Sequence, residues 1–222
     1  VREDAWGTHA DVVDAARRAT RWVHPVTAEV SAVLSRDSQG VCAVASADAV
    51  SRELPEPSVG ETLVVLAQGR DPGNVGTIIR TADAFGAVGV ITVSGTVEAT
   101  SPKVVRASAG SVFHIPVCVV SSFEEAHALI HRRSAALLGT SGGAGSLDLS
   151  QMLAQGVSGR SRLSQSHAWV FGNEAKGLSG AEMRLCDALV SIPMTGDAES
   201  LNVASAATAC LFASQTVRGM AL

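Results

Sequence analysis

Two polar side chains, Asn74 and Arg80, lie in an otherwise small and apolar segment, residues 73–82 (GNVGTIIRTA). The segment follows a Gly/Pro turn and is predicted to be helical. The two residues are six positions apart, nearly two helical turns, so we expect both to face one cleft. An amide and a fixed guanidinium charge suit recognition of a hydroxyl or phosphate group, although Asn74 can also serve as a helix cap. The usual glycine-rich nucleotide fingerprints are absent.

A second candidate segment follows a predicted buried strand at residues 168–171. Here Gly172 and Gly177 enclose an acid, Glu174, and a base, Lys176. Glycines allow backbone amides to approach a ligand closely. Glu174 is therefore expected to position a substrate or to contact the arginine of the first segment; a plain turn with solvated charges is the alternative.

The third candidate segment is residues 192–204 (IPMTGDAESLNVA), where a short apolar strand passes through a proline into a helix. Ser200 is predicted to cap that helix. Asn202 would then lie just inside the first turn, where asparagine is a poor helix former. A polar side chain beside exposed amides indicates a binding site. A fourth strand, at residues 135–139, also runs into a loop of small residues, which leaves room for a planar ring.

The elements that position these segments alternate between apolar strands and helices. We predict strands at residues 62–67, 88–93, 114–119, 135–139, 168–171 and 189–192, and helices at 75–85, 103–109, 123–133, 180–186 and 201–217. This pattern predicts an α/β fold with a mostly parallel sheet and helices on both faces. Ligands of such sheets bind at the carboxyl ends of the strands, so the candidate segments are expected to form one site.

Residues 1–58 are predicted to be a separate, mainly helical piece, and residues 59–222 the α/β domain. Helices are expected at 11–23 and 27–34, a short strand at 40–45, and a linker around Pro55 and Gly60. Arg17 and Arg21 are either an RNA-facing patch or a solvated helix end. Because the first residue is Val1, we expect an N-terminal piece to be processed, trimmed or missing.

The composition is that of a soluble globular protein, with 46% apolar and 17% charged residues and a net charge of −4. No apolar run is long enough to span a membrane. Four scattered cysteines indicate reduced thiols in the cytoplasm. Only two of the 17 basic residues are lysines, and tyrosine is absent, so any RNA contact should be local and made mainly by arginines.

Two further segments are predicted to have no role in the site. Residues 155–166 are expected to be a mobile surface loop. His127 and His131 are spaced like a pair of metal ligands but lack a third ligand, so no metal is predicted.

Four stretches together resemble the SpoU, or TrmH-like, RNA ribose 2′-O-methyltransferases of the SPOUT superfamily. They are NVGTIIRTADAFG at 74–86, SPKVVRASAG at 101–110, FGNEAKGL at 171–178 and IPMTGDAESLNVA at 192–204. They occur in the family's order and spacing. The resemblance implies an S-adenosyl-L-methionine-dependent enzyme that methylates a ribose 2′-oxygen of structured RNA, with rRNA favoured over tRNA. It also implies a C-terminal deep trefoil knot, a homodimer with the site at the subunit interface, and an abbreviated RNA-binding domain at 1–58.

The resemblance also assigns roles to individual residues. The catalytic residues it implies are Arg80, Asn74, Glu174, Ser200 and Asn202. The cofactor-binding residues are Leu138, Gly139, Thr140, Gly172, Gly177, Ile192, Met194 and Leu201. Apart from the resemblance, Lys103 and Arg106, three apart on one predicted helix face, are candidates for RNA phosphate contacts, and a surface ion-pair face is the alternative. Arg17 and Arg21 are the other RNA-binding candidates. The alternative function is a non-catalytic RNA- or S-adenosylmethionine-binding module of the same fold; a nucleotide-dependent oxidoreductase ranks last because its glycine fingerprint is missing.

Overall fold

The computed structural model describes residues 1–35, 38–143, 145–156 and 159–220. The chain divides into two compact units, residues 1–46 and 47–222. The predicted functional division at residue 58 stays a prediction. None of the described helices is long and apolar enough to cross a membrane.

The N-terminal unit contains two of the predicted helices, α1 (Ala10–Ala19) and α2 (Ala28–Leu34). Thr27 caps α2, because its hydroxyl accepts a hydrogen bond from the amide of Val30 at 3.4 Å. The predicted strand at 40–45 is wrong: no strand pairs with this segment among the described residues, and Gly40 instead accepts a single bond from the amide of Arg2 at 2.7 Å.

The second unit is a seven-stranded sheet in which every pair of neighbours is parallel. Its strands are β1 (Thr62–Leu66), β2 (Gly89–Val93), β3 (Val117–Val120), β4 (Ala136–Thr140), β5 (Leu147–Asp148), β6 (His167–Phe171) and β7 (Ala188–Ser191). Its helices are α3 (Pro72–Ala84), α4 (Pro102–Ala107), α5 (Phe123–Arg132), α6 (Leu149–Gly156), α7 (Gly180–Leu185) and α8 (Val203–Met220). The spatial order is β3-β2-β1-β6-β4-β7-β5.

Helices cover both faces of this sheet. Helices α3, α4, α6 and α8 pack on one face and α5 and α7 on the other. The central strands β1 and β6 are buried along their whole length, which explains why they read as continuous apolar runs. The predicted α/β fold with a parallel sheet is therefore confirmed.

Several predicted boundaries differ from the structure. The third strand begins at Val117 rather than at residue 114, because a 3₁₀ turn over Ser111–Phe113 and the following Pro116 keep the preceding residues out of the ladder. Strand β5 and helix α6 were not predicted. In the predicted surface loop 155–166, residues 157–158 lie outside the described residues, whereas Ser161 and Leu163 are buried. The four cysteines are unpaired, and only Cys210 is fully buried.

The chain leaves the two central strands in opposite directions. From β1 the chain continues through α3 to β2, toward the β3 edge of the sheet. From β6 it continues through α7 to β7, toward the β5 edge. The loops that follow β1 and β6 therefore diverge and leave a crevice at the carboxyl edge, which is the usual ligand position in such sheets.

Candidate active site

The helix of the third candidate segment begins at Val203, two residues later than predicted, and Asn202 caps it. The side-chain oxygen of Asn202 accepts hydrogen bonds from the amides of Ala204 at 2.8 Å and Ser205 at 3.4 Å. The predicted cap, Ser200, is wrong, because the helix starts at Val203 and only the residue directly before it can reach those amides. Ser200 is exposed in the preceding loop.

The capping geometry fixes the other end of the Asn202 amide. Because its oxygen faces the helix, its Nδ2 points away and donates a hydrogen bond to Oδ1 of Asn74 at 3.0 Å. This bond joins the first and third candidate segments directly. The Nδ2 of Asn74 stays available as a donor, since no described residue accepts from it.

The second candidate segment is a closed turn. The amide of Asn173 donates to the carbonyl of Gly177 at 3.0 Å, and the amide of Gly177 donates back at 2.8 Å. A side chain at Gly172 would bring a Cβ within 2.3 Å of the carbonyl carbon of Gly177, so this turn requires glycine there. Gly177 has a φ of +66°, which also favours glycine.

The turn holds Glu174 against the start of α3. One carboxylate oxygen, Oε1, accepts hydrogen bonds from the amides of Arg70 at 3.2 Å and Asp71 at 3.1 Å. These are backbone donors just before a helix, where negative charge is favourable. Glu174 therefore binds the loop after β1, and no described contact joins it to Arg80.

Asp71, which the sequence analysis did not single out, links these groups together. Its Oδ1 accepts from the amide of Asn74 at 2.8 Å and caps α3, with Pro72 at the first helical position. An aspartate before a proline at a helix start is a known capping pattern and would have identified it. Glu174, Asp71, Asn74 and Asn202 thus form a continuous hydrogen-bonded chain, termed here the site chain.

Arg80 lies on the exposed side of α3. Six positions correspond to a rotation of roughly a third of a turn relative to Asn74, so the two side chains are not on the same line of the helix. Within the described residues, the Arg80 guanidinium makes no hydrogen bond or ion pair. Its charge is thus available to a ligand, while a cleft shared with Asn74 stays a prediction.

The residues predicted to bind a cofactor lie at the ends of β6, β4 and β7, three consecutive strands of the sheet. Leu138 is fully buried, and Gly139 has no room for a Cβ, which would lie 2.7 Å from the sulfur of Cys186. The Thr140 hydroxyl donates to the carbonyl of Val170 at 3.0 Å. These three residues shape the strand end and offer their backbone, not their side chains, to a ligand.

The loop after β7 presents apolar side chains to solvent. Met194 and Leu201 are 42% and 43% exposed, and Ile192 is partly buried. Exposed apolar side chains beside glycine-rich loops are suited to cover a flat, partly apolar ligand.

The predicted RNA-binding residues fall into two groups. Lys103 and Arg106 are exposed on α4. In the N-terminal unit, the guanidinium of Arg17 lies 5.0 Å from the ring centre of Trp6, and that of Arg21 lies 5.1 Å from the ring centre of Trp22. Cation–π contacts hold both arginines near aromatic faces while their charges stay exposed.

His127 and His131 lie in ring contact, with centroids 4.2 Å apart, and His131 is 3.6 Å from Asp187. Throughout the described ranges, no group of three or more side chains is arranged to hold a metal ion.

Residues 61–212 match the family described as SpoU rRNA Methylase. A 23S rRNA (uridine(2479)-2′-O)-methyltransferase from Streptomyces viridochromogenes is 42% identical over 146 residues, which is 64% of this chain and 47% of that protein. A 23S rRNA (guanosine-2′-O-)-methyltransferase RlmB from Bordetella pertussis is 34% identical over 208 residues, 91% of this chain and 81% of the relative. The chain thus spans about half of the first relative and most of the second.

Solved structures give the same result. The SpoU methyltransferase AviRb from Streptomyces viridochromogenes superposes with a TM-score of 0.71 at 30% identity, covering 91% of this chain and 77% of that one. An AdoMet-bound rRNA methyltransferase from Sinorhizobium meliloti superposes with a TM-score of 0.66 at 33% identity, covering 86% and 70%. Both similarities extend over most of the chain.

Proposed function

The chain belongs to the SpoU rRNA Methylase family, and from this premise we propose that it transfers a methyl group from S-adenosyl-L-methionine to a ribose 2′-oxygen of structured RNA. The observation that carries the proposal is the site chain, which ties three separate segments together at the carboxyl edge of the sheet. The relatives described above are named for 23S rRNA, so ribosomal RNA is favoured over transfer RNA as the substrate. With that substrate, the protein would act in the cytoplasm.

The loops after β4, β6 and β7 fit S-adenosyl-L-methionine. Met194 and Leu201 offer exposed apolar surface for the adenine ring, and the partly buried Ile192 precedes them in the same loop. The backbone around Gly139, Thr140, Gly172 and Gly177 approaches closely, because glycine at three of these positions removes side chains from the pocket. When bound, the cofactor would supply a methyl group whose bond to the sulfonium sulfur breaks as the bond to the 2′-oxygen forms, which leaves a neutral thioether.

Arg80 is proposed to stabilise the reacting oxygen rather than to remove its proton. A guanidinium stays protonated in proteins, so it is a poor base. Its positive charge, which no described residue pairs with, can instead bind an RNA phosphate and offset the negative charge that develops on the 2′-oxygen as its proton leaves. The hydroxyl proton passes to solvent.

The site chain is proposed to orient the ribose. Asn74 keeps a free Nδ2 donor because Asn202 occupies its oxygen. Among the described residues, Glu174 keeps its second carboxylate oxygen free, since the backbone amides of Arg70 and Asp71 both donate to Oε1. The second oxygen can accept a hydrogen bond from a ribose hydroxyl. The exposed Ser200 completes the wall between cofactor and ribose.

We also propose that the C-terminal region is knotted. Val190 of β7 pairs with Thr140 on one side and with Leu147 on the other. The later strand thus lies between two earlier segments that only residues 141–146 connect. Passage of the chain after β7 through this connection would produce the trefoil knot of the SPOUT superfamily.

A homodimer is the proposed assembly, with α8 in the interface. Phe212 is 52% exposed on this otherwise small-residue helix, and its ring lies 6.1 Å from that of Phe85. An exposed aromatic side chain that packs on a partly buried one is suited to a protein interface. Residues 1–58 are proposed to be an abbreviated RNA-binding domain that contributes Arg17 and Arg21, while Lys103 and Arg106 contact RNA from the methyltransferase domain.

The proposal is tested by two measurements on the intact chain. Calorimetry with S-adenosyl-L-methionine should detect binding, and incubation with methyl-labelled cofactor should transfer label to an unmodified 23S rRNA transcript in preference to a tRNA transcript. Binding without transfer to either RNA would instead favour the non-catalytic module. That alternative is disfavoured because the site chain joins Asn74, Glu174 and Asn202, three of the five residues to which the resemblance assigns catalytic roles.

A further inference from the structure

A cleft of about 380 Å³ opens between the loops that follow β1 and β6. It lies at the divergence of the two central strands, where ligands of parallel sheets bind. Its lining residues are Gln68, Arg70, Asn173, Glu174, Ala175 and Lys176. Two of these, Arg70 and Lys176, have no role in the function proposed above.

The cleft carries two positive charges and one negative charge, and so is net positive. Arg70 and Lys176 are both exposed, and within the described part of the chain neither side chain forms a hydrogen bond or an ion pair. The one carboxylate in the lining belongs to Glu174, and its Oε1 is bound to the amides of Arg70 and Asp71. This acid is therefore held by backbone groups and does not pair with either cation.

The other polar groups of the lining also favour an anion. The side-chain oxygen of Asn173 is directed to the backbone, where it accepts from the amides of Ala175 at 3.0 Å and Lys176 at 3.2 Å. Its Nδ2 is left as a donor. A concave surface that combines unpaired cations with free donors is suited to a phosphate.

The position of the cleft distinguishes it from the cofactor pocket. The proposed cofactor loops follow β6, β4 and β7. The cleft shares the first of these loops, but its other wall is formed by Gln68 and Arg70 after β1, so it lies on the β1 side of β6. An RNA chain has a phosphate on each side of every ribose, and Arg80 can serve only one of them. We infer that Arg70 and Lys176 form a second phosphate subsite, which holds the RNA backbone beside the nucleotide to be methylated. This inference depends on the proposed function.

The test compares the wild-type chain with the double variant Arg70→Gln/Lys176→Gln. An unmodified 23S rRNA transcript is the probe, and its affinity is measured over a series of salt concentrations. Loss of two phosphate contacts should reduce the slope of log affinity against log salt by about 1.5. The KM for the RNA should rise several-fold, while kcat at saturating RNA and the affinity for S-adenosyl-L-methionine change less than twofold.

The matched control is Arg132→Gln/Arg184→Gln, which removes the same charge from exposed residues of α5 and α7. Its salt slope and KM should stay at wild-type values. The inference is overturned if the cleft variant keeps the wild-type slope and KM, or if it loses cofactor affinity instead. A wild-type protein that binds cofactor but neither binds nor methylates the RNA contradicts the proposed function itself.

Discussion

The side-chain nitrogen of Asn202 donates a hydrogen bond to the side-chain oxygen of Asn74 at 3.0 Å, across 128 positions of the sequence. Asn202 can make this bond because its own oxygen is occupied in capping α8. One side chain thus starts a helix and also fixes which atom of Asn74 stays free. Substitutions at Asn202 can separate these two effects.

We expect Asn202→Asp to keep the cap and to lose the correct orientation of Asn74. A carboxylate accepts from the helix amides, so the free energy of unfolding should stay within about 0.5 kcal/mol of wild type. Its second oxygen, however, would face Oδ1 of Asn74 and force that amide to reverse. Methyl transfer should therefore fall at least about tenfold, or about 1.4 kcal/mol in activation free energy.

Asn202→Ala is the comparison for this variant. It removes both the cap and the bond to Asn74, so it should lose about 1 kcal/mol of stability in addition to activity. Wild-type transfer by Asn202→Asp, measured at saturating RNA and cofactor, would show that the orientation of Asn74 does not matter.

Arg80→Ala is expected to abolish methyl transfer while leaving the fold and cofactor affinity unchanged. The side chain is exposed and forms no hydrogen bond or ion pair with other described residues, so its loss should change the unfolding free energy by less than about 0.5 kcal/mol. A loss of less than about tenfold in transfer, below roughly 1.4 kcal/mol, would exclude the role proposed for this residue. Arg80→Lys keeps the charge without the planar donors and should recover only part of the rate.

Much of the fold was predictable because its signals are local. The central strands are apolar runs ended by glycine or polar residues, and their predicted bounds differ from the observed ones by about a residue. Residues 40–45 look equally strand-like, but a strand also needs a partner, and none of the described segments pairs with them. Local patterns carry no information about that partner.

The candidate site shows the same limit. Ser200 and Asn202 are about equally good caps by local propensity, so the sequence alone did not distinguish the predicted serine from the observed asparagine. The contact between Asn202 and Asn74 connects distant parts of the sequence, as does the contact between Glu174 and the amides before α3. Such contacts follow from the order of strands in the sheet, which the sequence pattern does not specify.

A buried ion pair at the start of β1 should be important for stability. Arg133 donates to both carboxylate oxygens of Glu61, at 2.7 and 2.8 Å, and to the carbonyl of Pro55 at 2.8 Å. Arg133→Ala leaves a buried carboxylate without its partner and should cost about 3–5 kcal/mol in denaturant unfolding. Arg132→Ala, at the exposed neighbouring position, is the control and should cost less than about 0.5 kcal/mol. Equal effects of the two changes would contradict this interpretation.

The buried His167 should make the fold sensitive to mild acid. Burial lowers the pKa of His167 to about 4. The neutral ring donates from Nδ1 to the carbonyl of Gln165 and accepts at Nε2 from the hydroxyl of Ser214. The unfolded chain binds this proton below pH 6.5 and the folded chain only near pH 4, so stability should fall as the pH falls through that window, by up to about 3 kcal/mol.

The variant His167→Asn checks this effect. Asparagine does not titrate, so the difference in unfolding free energy between pH 7 and pH 4.5 should be smaller than in wild type. Glu61 should affect stability only at a lower pH than His167 does. Burial alone would raise the pKa of the Glu61 carboxyl, but hydrogen bonds from Arg133 and Ser58 outweigh burial and hold the pKa below its ordinary value. An unchanged slope between pH 7 and pH 4.5 in His167→Asn would assign the acid sensitivity to other groups.

The most direct test of the central claim is the position of the transferred methyl group. The wild-type chain is incubated with methyl-labelled S-adenosyl-L-methionine and an unmodified 23S rRNA transcript, and the RNA is then hydrolysed completely in alkali. Alkaline cleavage needs a free 2′-oxygen to attack the neighbouring phosphate, so a 2′-O-methylated linkage survives. We predict that the label is recovered in one alkali-resistant dinucleotide. Label recovered in mononucleotides, which would indicate methylation of a base, or no label in the RNA although the cofactor binds, would contradict the account.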